Sequence, residues 1–190
     1  MLPLQLHLTL PIWVHDFPFE ATYPGDEAKV ALAIALSRQN IDARSGGPFG
    51  AAVFGPDDRL VAIGVNRVLP QSCSVAHAEM MAFMLAQHRL QRARLNENDD
   101  GSRWGPVTLA TSSQPCCQCY GASIWAGIDR MLIGARSGDV ESLTEFDEGP
   151  LPADWTGALR ERGIEVVTDV LRDDARAVLR DYGQLGGPSY

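Results

Sequence analysis

Two short motifs constrain this chain more than any other part of its sequence. The first is His-Ala-Glu at residues 77–79, and the second is Pro-Cys-Cys-Gln-Cys at residues 115–119, which begins 36 residues after that glutamate. Cysteines three positions apart in the first turn of a helix place both sulfurs on one face, and the helix N-terminus favours their thiolate forms. A histidine from a second helix completes a set of three ligands. His77, Cys116 and Cys119 therefore predict one zinc ion per chain, with the fourth tetrahedral position open to water.

Glu79 is the first candidate catalytic residue. Because it stands two residues after His77, we expect its side chain to point beside the metal rather than bind it. A carboxylate in that place can take a proton from water and return it to a substrate. The alternative is a structural zinc site closed by four ligands, with Cys73 as the fourth and Glu79 as a surface charge. The chain would then be a zinc-binding module without turnover.

The composition restricts the class of partner. The chain has 190 residues, of which 45% are hydrophobic, and this predicts one domain with a full core. Sixteen Lys and Arg stand against 24 Asp and Glu, a net charge of -8. A protein that holds a nucleic-acid backbone needs a basic face, so we expect no nucleic-acid partner. Without a disulfide framework, a membrane-spanning stretch or a signal peptide, the sequence predicts a cytoplasmic protein with no membrane partner.

Hydrophobic periodicity predicts alternating helices and strands in one α/β domain. The spacing predicts helices over residues 26–41, 75–95, 116–126, 140–146, 155–162 and 173–182. It predicts strands over residues 51–54, 60–65, 107–111, 130–134 and 164–168, and a strand or extended arm over residues 2–10. We expect an arm at 1–25, a domain at 26–184 and a tail at 185–190. The two metal-bearing helices would start at one end of the sheet, where open α/β sheets bind ligands.

These motifs resemble the cytidine-deaminase-like superfamily and, within it, the bacterial zinc-dependent guanine deaminases. The resemblance runs from about residue 28 to 146, and its markers lie at residues 47–51, 64–66, 76–79, 113–116 and 121–126. It implies a three-layer α/β/α fold with a five-stranded mixed sheet, usually assembled as a homodimer. It also implies hydrolytic deamination of a free nucleobase, guanine to xanthine and ammonia, a step of purine catabolism.

The resemblance assigns roles to four residues around the base. Asn66 matches the asparagine that hydrogen-bonds the purine. Phe49 and Trp125 match aromatic residues that line the base pocket, where flat rings stack on flat bases. Ala78, in the middle of the first motif, leaves room beside the metal and lets the base approach the backbone.

It also assigns an acid and a lid. Glu148 matches the last carboxylate of a segment that assists departure of the amino group, and Glu145 and Asp147 are the alternatives in the same acidic cluster. The tail at 185–190 matches a segment that closes over the base pocket. Tyr190 would then reach the mouth of the pocket, either in its own subunit or in the partner.

Other substrates remain open. The same zinc signature fits a deaminase of cytosine, of a pteridine or of an s-triazine such as ammeline, which shares the amino-amidine edge of guanine. A tRNA adenosine deaminase also carries the signature, but the net charge argues against it. Gln114 departs from the pattern, because many relatives have glutamate before the proline.

Overall fold

The computed structural model describes residues 2–189, and its central element is a five-stranded sheet. The strands are β1 Gly50–Phe54, β2 Leu60–Val65, β3 Thr108–Ser113, β4 Arg130–Ala135 and β5 Glu165–Val167. The helices are α1 Asp26–Asp42, α2 Val68–Gln71, α3 Ala78–Leu90, α4 Cys117–Ala126, α5 Ser137–Leu143, α6 Trp155–Arg160 and α7 Arg172–Gln184. None of the helices in this described part is long and apolar enough to cross a membrane.

The sheet is mixed, with the strand order β2-β1-β3-β4-β5. Strand β1 runs antiparallel to both of its neighbours, with Gly50 opposite Val65 on β2 and Ala52 opposite Ala110 on β3. Strands β3, β4 and β5 are parallel to one another. Strands β2, β3 and β4 therefore run in the same direction, and their carboxyl ends lie on the same side of the sheet.

Helices cover both faces of the sheet, and alternate strand residues separate into two cores. One core joins Ala52 and Phe54 of β1 to α1, α5 and α7. The other joins Ala51 and Val53 of β1 to α3, α4 and α6. Because both faces are covered, the central strands are buried along almost their whole length. The expected three-layer α/β/α fold with a five-stranded mixed sheet is confirmed.

Gly64 allows α3 to lie directly on β2. A Cβ atom at this position would stand 2.0 Å from the carbonyl oxygen of Ala78 and 2.5 Å from the amide nitrogen of Ala82. No side chain fits into that gap, so only glycine permits this close approach of helix and strand. The contact sets the start of α3, and with it the first motif, at the carboxyl end of β2.

Several element boundaries differ from the sequence prediction. The helix expected over residues 75–95 spans only Ala78–Leu90, with His77 as its N-cap, and it ends at Gln91 in the left-handed region (φ 54°). The helix expected over residues 140–146 lies at Ser137–Leu143. Residues 2–10 form the extended arm and not the strand, because they pair with no neighbouring strand of the described chain. Periodicity shows which residues are apolar, but not where backbone hydrogen bonding stops.

The second half of the N-terminal arm is part of the molecule's core. Leu10, Trp13, Phe17, Phe19 and Tyr23 pack against the cluster formed by α1, α5 and α7. The first residues behave differently, since the leucines at positions 2, 4 and 6 are mostly exposed. The arm is thus anchored by its aromatic residues from residue 10 onward.

Candidate active site

Two helices begin beside each other at the carboxyl ends of β2 and β3. His77 is the N-cap of α3, and Cys116 is the N-cap of α4. Cys119 lies in the first turn of α4 and is fully buried. The Sγ atom of Cys116 stands 3.4 Å from Nδ1 of His77. The two motifs, far apart in the sequence, therefore meet at the end of the sheet where open α/β folds bind ligands.

The three predicted ligands fit a zinc ion. The donor atoms of His77, Cys116 and Cys119 all lie within 4.8 Å of one another. Donors bound to tetrahedral zinc at its usual bond lengths lie about 3.5 Å apart, so small movements would close this group around the ion. Two thiolates and one imidazole are also a donor set that suits zinc. Cys73 lies outside the group, which argues against the four-ligand structural site.

The cysteine pair favours one thiolate. A hydrogen bond from the Cys119 thiol lowers the pKa of Cys116 to about 4. The same hydrogen bond, together with burial, raises the pKa of Cys119. Burial on its own would lower the pKa of His77, but the hydrogen bond and the charge of Cys116 raise it. A negative centre of this kind attracts a cation.

Glu79 lies beside the ligands without belonging to their group. Its carboxyl is buried, with Oε1 3.2 Å from the hydroxyl of Thr111 and Oε2 3.4 Å from Sγ of Cys119. Burial raises the pKa of Glu79, and the neighbouring Cys116 thiolate raises it further. Glu79 thus lies beside the three candidate ligands, and its role as a proton shuttle stays a prediction.

A cavity opens over this cluster. The predicted residues that line it are Phe49, Asn66, His77, Ala78, Glu79, Cys116 and Glu148. Gln114 and Phe146 line it as well, although the sequence did not assign them to the site. Gln114 directly precedes the Pro-Cys turn of the second motif, and this adjacency in the sequence could have predicted that it lines the cavity. The sequence predicts the place of Phe146 less well, because that place depends on where α5 ends.

The structure distinguishes the three acidic residues that follow α5. Beyond Leu143 the burial of the residues alternates, with positions 146 and 148 buried and positions 145 and 147 exposed. Phe146 and Glu148 are buried and line the cavity, whereas Glu145 is exposed and lies by a separate hollow near Tyr182. Asp147 borders the cavity but is exposed. Glu145, expected as a catalytic alternative, is therefore placed away from the metal ligands.

Glu148 has the environment of a carboxylic acid that stays protonated. It is 7% exposed, and its own carbonyl oxygen accepts a 3.0 Å hydrogen bond from the amide of Cys117. Burial raises the pKa of Glu148 to about 9, with smaller contributions from the charges of Cys116 and Glu79. At neutral pH this group can donate a proton to a leaving amine.

The opposite wall of the cavity combines one amide and two aromatic rings. The Oδ1 atom of Asn66 accepts hydrogen bonds from the amides of Gly47 (3.4 Å) and Val68 (3.3 Å). With Oδ1 as the acceptor, the amino group is the donor end of the Asn66 side chain. The rings of Phe49 and Phe146 meet edge to face, with centroids 5.0 Å apart. Such a wall suits a flat heterocycle with an acceptor on its edge.

One expected substrate residue does not line the cavity, and a second lies outside the described residues. Trp125 is 76% exposed, because α4 buries Cys119, Ser123 and Ala126 and turns Trp125 to the opposite face. Tyr190 lies outside the described residues. Residues 185–189 fold back on α7, where the Tyr182 hydroxyl donates a 2.7 Å hydrogen bond to the carbonyl of Pro188. The lid therefore stays a prediction.

Comparisons with known proteins agree with this site. The family model of the cytidine and deoxycytidylate deaminase zinc-binding region matches residues 25–135. The crystallised guanine deaminase from Nitrosomonas europaea is 42% identical, with a TM-score of 0.84 over 97% of this chain and 99% of that one. A structure of an NE0047 variant in complex with 8-azaguanine has a TM-score of 0.89 at 41% identity, over 97% and 99% of the two chains.

More distant relatives were also found by sequence. The guanine deaminase of Bacillus subtilis is 34% identical over 138 residues, which are 73% of this chain and 81% of that protein. A tRNA(Ile)-lysidine synthase of Deinococcus deserti is 30% identical over 90% of this chain, but the match spans only 29% of that longer protein. These findings confirm the expected resemblance to bacterial guanine deaminases. The chain belongs to the cytidine and deoxycytidylate deaminase family that is defined by this zinc-binding region.

Proposed function

We propose that this protein is a zinc-dependent hydrolase that deaminates a free nucleobase, converting guanine to xanthine and ammonia. The observation that carries the proposal is that one cavity is lined by two of the proposed zinc ligands, His77 and Cys116, and by two carboxyl groups, Glu79 and Glu148. Relatives named guanine deaminase, and the complex of NE0047 with a guanine analogue, support this choice of base. Hydrolysis of a carbon–nitrogen bond is also the chemistry for which these relatives are named.

His77, Cys116 and Cys119 would hold the zinc ion. Zinc bound in such a site acts as a Lewis acid and lowers the pKa of water towards about 7. Glu79 accepts a proton as the water oxygen adds to C2 of guanine, and it delivers that proton to the adjacent ring nitrogen.

Glu148 completes the reaction. It donates its proton to the amino group, the C2–N bond breaks, and ammonia leaves. The proton of the new hydroxyl group at C2 is released as the carbonyl of xanthine forms, and it restores the protonated Glu148. The burial that raises the pKa of Glu148 to about 9 keeps this proton available at neutral pH.

The walls of the cavity select a neutral, flat base. Asn66 can donate a hydrogen bond to an acceptor on the edge of the base, and Phe49 and Phe146 supply apolar surface for its ring. Two thiolates cancel the charge of a bound zinc ion and Glu148 is protonated at neutral pH, so the cavity offers no positive charge to balance a phosphate on the substrate. This favours a free base over a nucleotide or a nucleic acid.

The decisive experiment is an assay of ammonia release from guanine, cytosine, adenosine, ammeline and a tRNA hairpin, with the zinc content measured in the same samples. We expect guanine to react fastest, with one zinc per chain. If ammonia is released faster from cytosine, ammeline or the hairpin, that compound and not guanine is the preferred substrate. A zinc-loaded protein that releases ammonia from none of them would be a binding module.

We also propose that the protein is a cytoplasmic homodimer that acts in purine catabolism, with residues 185–190 as a lid over the base. The fold, the resemblance and the proposed substrate support these assignments. Light scattering of the purified protein would test the dimer. Deletion of the tail tests the lid.

A further inference from the structure

We propose that the N-terminal arm is a positioning element for the base: a chain of hydrogen bonds from Thr9 and Trp13 holds Asn66 in place through Ser45 and Asn40. The inference rests on the proposed function, because it takes Asn66 as the residue that binds the base. The arm precedes the residues matched by the family model, which begin at residue 25. It nevertheless reaches the cavity wall through polar contacts.

Two hydrogen bonds join the arm to the residues around Asn66. The indole Nε1 of Trp13 donates a 2.9 Å hydrogen bond to the hydroxyl of Ser45, in the loop after α1. The carbonyl of Thr9 accepts a 3.1 Å hydrogen bond from Nε of Arg67, the residue that follows Asn66. Arg67 also donates from Nη1 to the carbonyl of Ser45. The arm, this loop and the end of β2 are therefore tied together.

The hydroxyl of Ser45 also forms a hydrogen bond with Asn40. While it accepts from Trp13, its hydroxyl donates to Oδ1 of Asn40 over 2.7 Å. Asn40 is fully buried, and its amino group donates to the carbonyls of Gly47 (2.8 Å) and Asn66 (3.0 Å). An asparagine amide can turn over and exchange its donor and acceptor ends. The carbonyls of Gly47 and Asn66 oppose this because they can only accept, and the Ser45 hydroxyl donates to the oxygen end that this orientation presents.

The loop at residues 45–47 in turn lies directly on Asn66. A Cβ atom on Gly46 would stand 1.9 Å from the carbonyl oxygen of Asn66, so the two backbones are in direct contact. Gly47 then donates its amide to Oδ1 of Asn66. The orientation of the Asn66 amide, and hence of the donor it offers to the base, depends on the position of this loop.

Arg67 shows why the arm is needed to complete the network. Its side chain is 9% exposed, and no carboxylate of residues 2–189 forms an ion pair with it. Backbone carbonyls of Thr9 and Ser45 satisfy the guanidinium instead. The amide of Arg67 also donates to the carbonyl of Ala76, next to the ligand His77. Without the arm, a buried cation between the base-binding residue and the metal site would lose one of its acceptors.

The test uses two substitutions that break single links of this chain. Ser45→Ala removes the hydroxyl between Trp13 and Asn40, and Trp13→Phe keeps an aromatic ring but removes the indole donor. The matched controls are Ser142→Ala on the outside of α5 and Trp155→Phe, which packs on the opposite core. We expect both arm variants to raise KM for guanine about three- to tenfold, the size of one lost hydrogen bond. The turnover number should stay within about twofold, with unchanged zinc content, since Glu79 and the ligands are untouched.

Amide hydrogen exchange gives a second readout that does not depend on the substrate. The amides of Gly47 and Asn66 should exchange faster in Ser45→Ala than in Ser142→Ala, because the loop is less firmly held. Unchanged exchange would overturn the inference, and so would faster exchange with a normal KM. A parallel fall in turnover, zinc content and melting temperature would show a purely structural role and would overturn it too. If the wild-type protein does not deaminate guanine, the proposed function fails, and the exchange data alone then decide whether the arm holds Asn66.

Discussion

Replacing Glu148 by glutamine should make the protein more stable and less active. The wild-type carboxyl has an ordinary pKa of 4.5 when exposed, and burial raises it to about 9 in the folded state. Holding it protonated at pH 7 therefore costs about 3 kcal/mol, at 1.36 kcal/mol per pKa unit between 4.5 and 7. Glutamine has nearly the same shape and carries no charge, so it removes most of this cost. The same change removes the proton donor for the leaving amine, which should lower the turnover number about 100- to 10,000-fold.

The gain in stability should depend on pH with a defined sign. Because the folded pKa of Glu148 is raised, folding takes up no proton at this carboxyl well below pH 4.5, where it is protonated in both the folded and the unfolded chain, and the protonation cost is then zero. The cost grows as pH rises from 4.5 and levels off above about 9. The stability difference between Glu148→Gln and the wild type should follow this curve.

Urea denaturation of the metal-free proteins at pH 4.5, 7 and 9, together with ammonia release by the zinc-loaded proteins, measures both effects. Glu145→Gln is the matched control, because Glu145 is in the same segment but exposed. We expect the control to keep wild-type stability and activity. A Glu148→Gln protein that is less stable than the wild type at pH 7 would refute the assigned protonation state. Undiminished turnover in that variant, or lost turnover in the control, would refute the assignment of the acid.

Three further predictions concern the metal, the tail and a buried ion pair. Glu79→Gln should keep zinc and the fold but lose turnover by several orders of magnitude, whereas Cys119→Ala should lose zinc and stability. Metal analysis and thermal melting distinguish the two variants. Zinc loss in Glu79→Gln would show that Glu79 is a ligand. Deletion of residues 185–190 should cut turnover severely. It should lower the melting temperature by less than about 4 °C, because residues 185–189 are held on α7 by the Tyr182 hydroxyl and by local backbone hydrogen bonds at the helix end. Full activity in that truncation would eliminate the lid. The hydrogen bonds of Arg172 to the buried Asp139 lower the pKa of that carboxyl, so Asp139→Asn should destabilise the protein by about 3 kcal/mol at pH 7. The stability difference should shrink as pH falls below 3.8, because the wild-type carboxyl then gains its proton. A constant difference across that range, measured by denaturation, would contradict the pairing.

The placement of Cys116 beside Cys119, and of Glu79 beside His77, could be predicted from the sequence because each spacing is a local matter. The spacing of Cys116 and Cys119 places both sulfurs on one side of a helix start, and the two-residue step from His77 to Glu79 separates ligand from carboxylate. The hydrophobic pattern also indicated the α/β class. Positions within one turn of a helix follow from the stiffness of the backbone, wherever the helix lies in the fold.

The direction in which other side chains point was decided only by tertiary structure. Trp125 shares a helix with the cysteines, but the face of α4 that is buried depends on the packing of neighbouring elements. Helix α5 ends at Leu143, and in the segment after it Glu145 is exposed whereas Glu148 is buried in the cavity wall. Such boundaries depend on contacts with distant segments, which periodicity does not contain.

The surroundings of Asn66 show the same division. The sequence determined that an asparagine follows β2, and the resemblance assigned it to the base. The hydrogen bonds that hold it come from Asn40 and Gly47, and through Ser45 from the arm at Trp13. The residues in this network are up to 53 positions apart in the chain. Only the folded backbone brings their donors and acceptors within hydrogen-bonding distance, because that geometry depends on how α1, the arm and the sheet pack together.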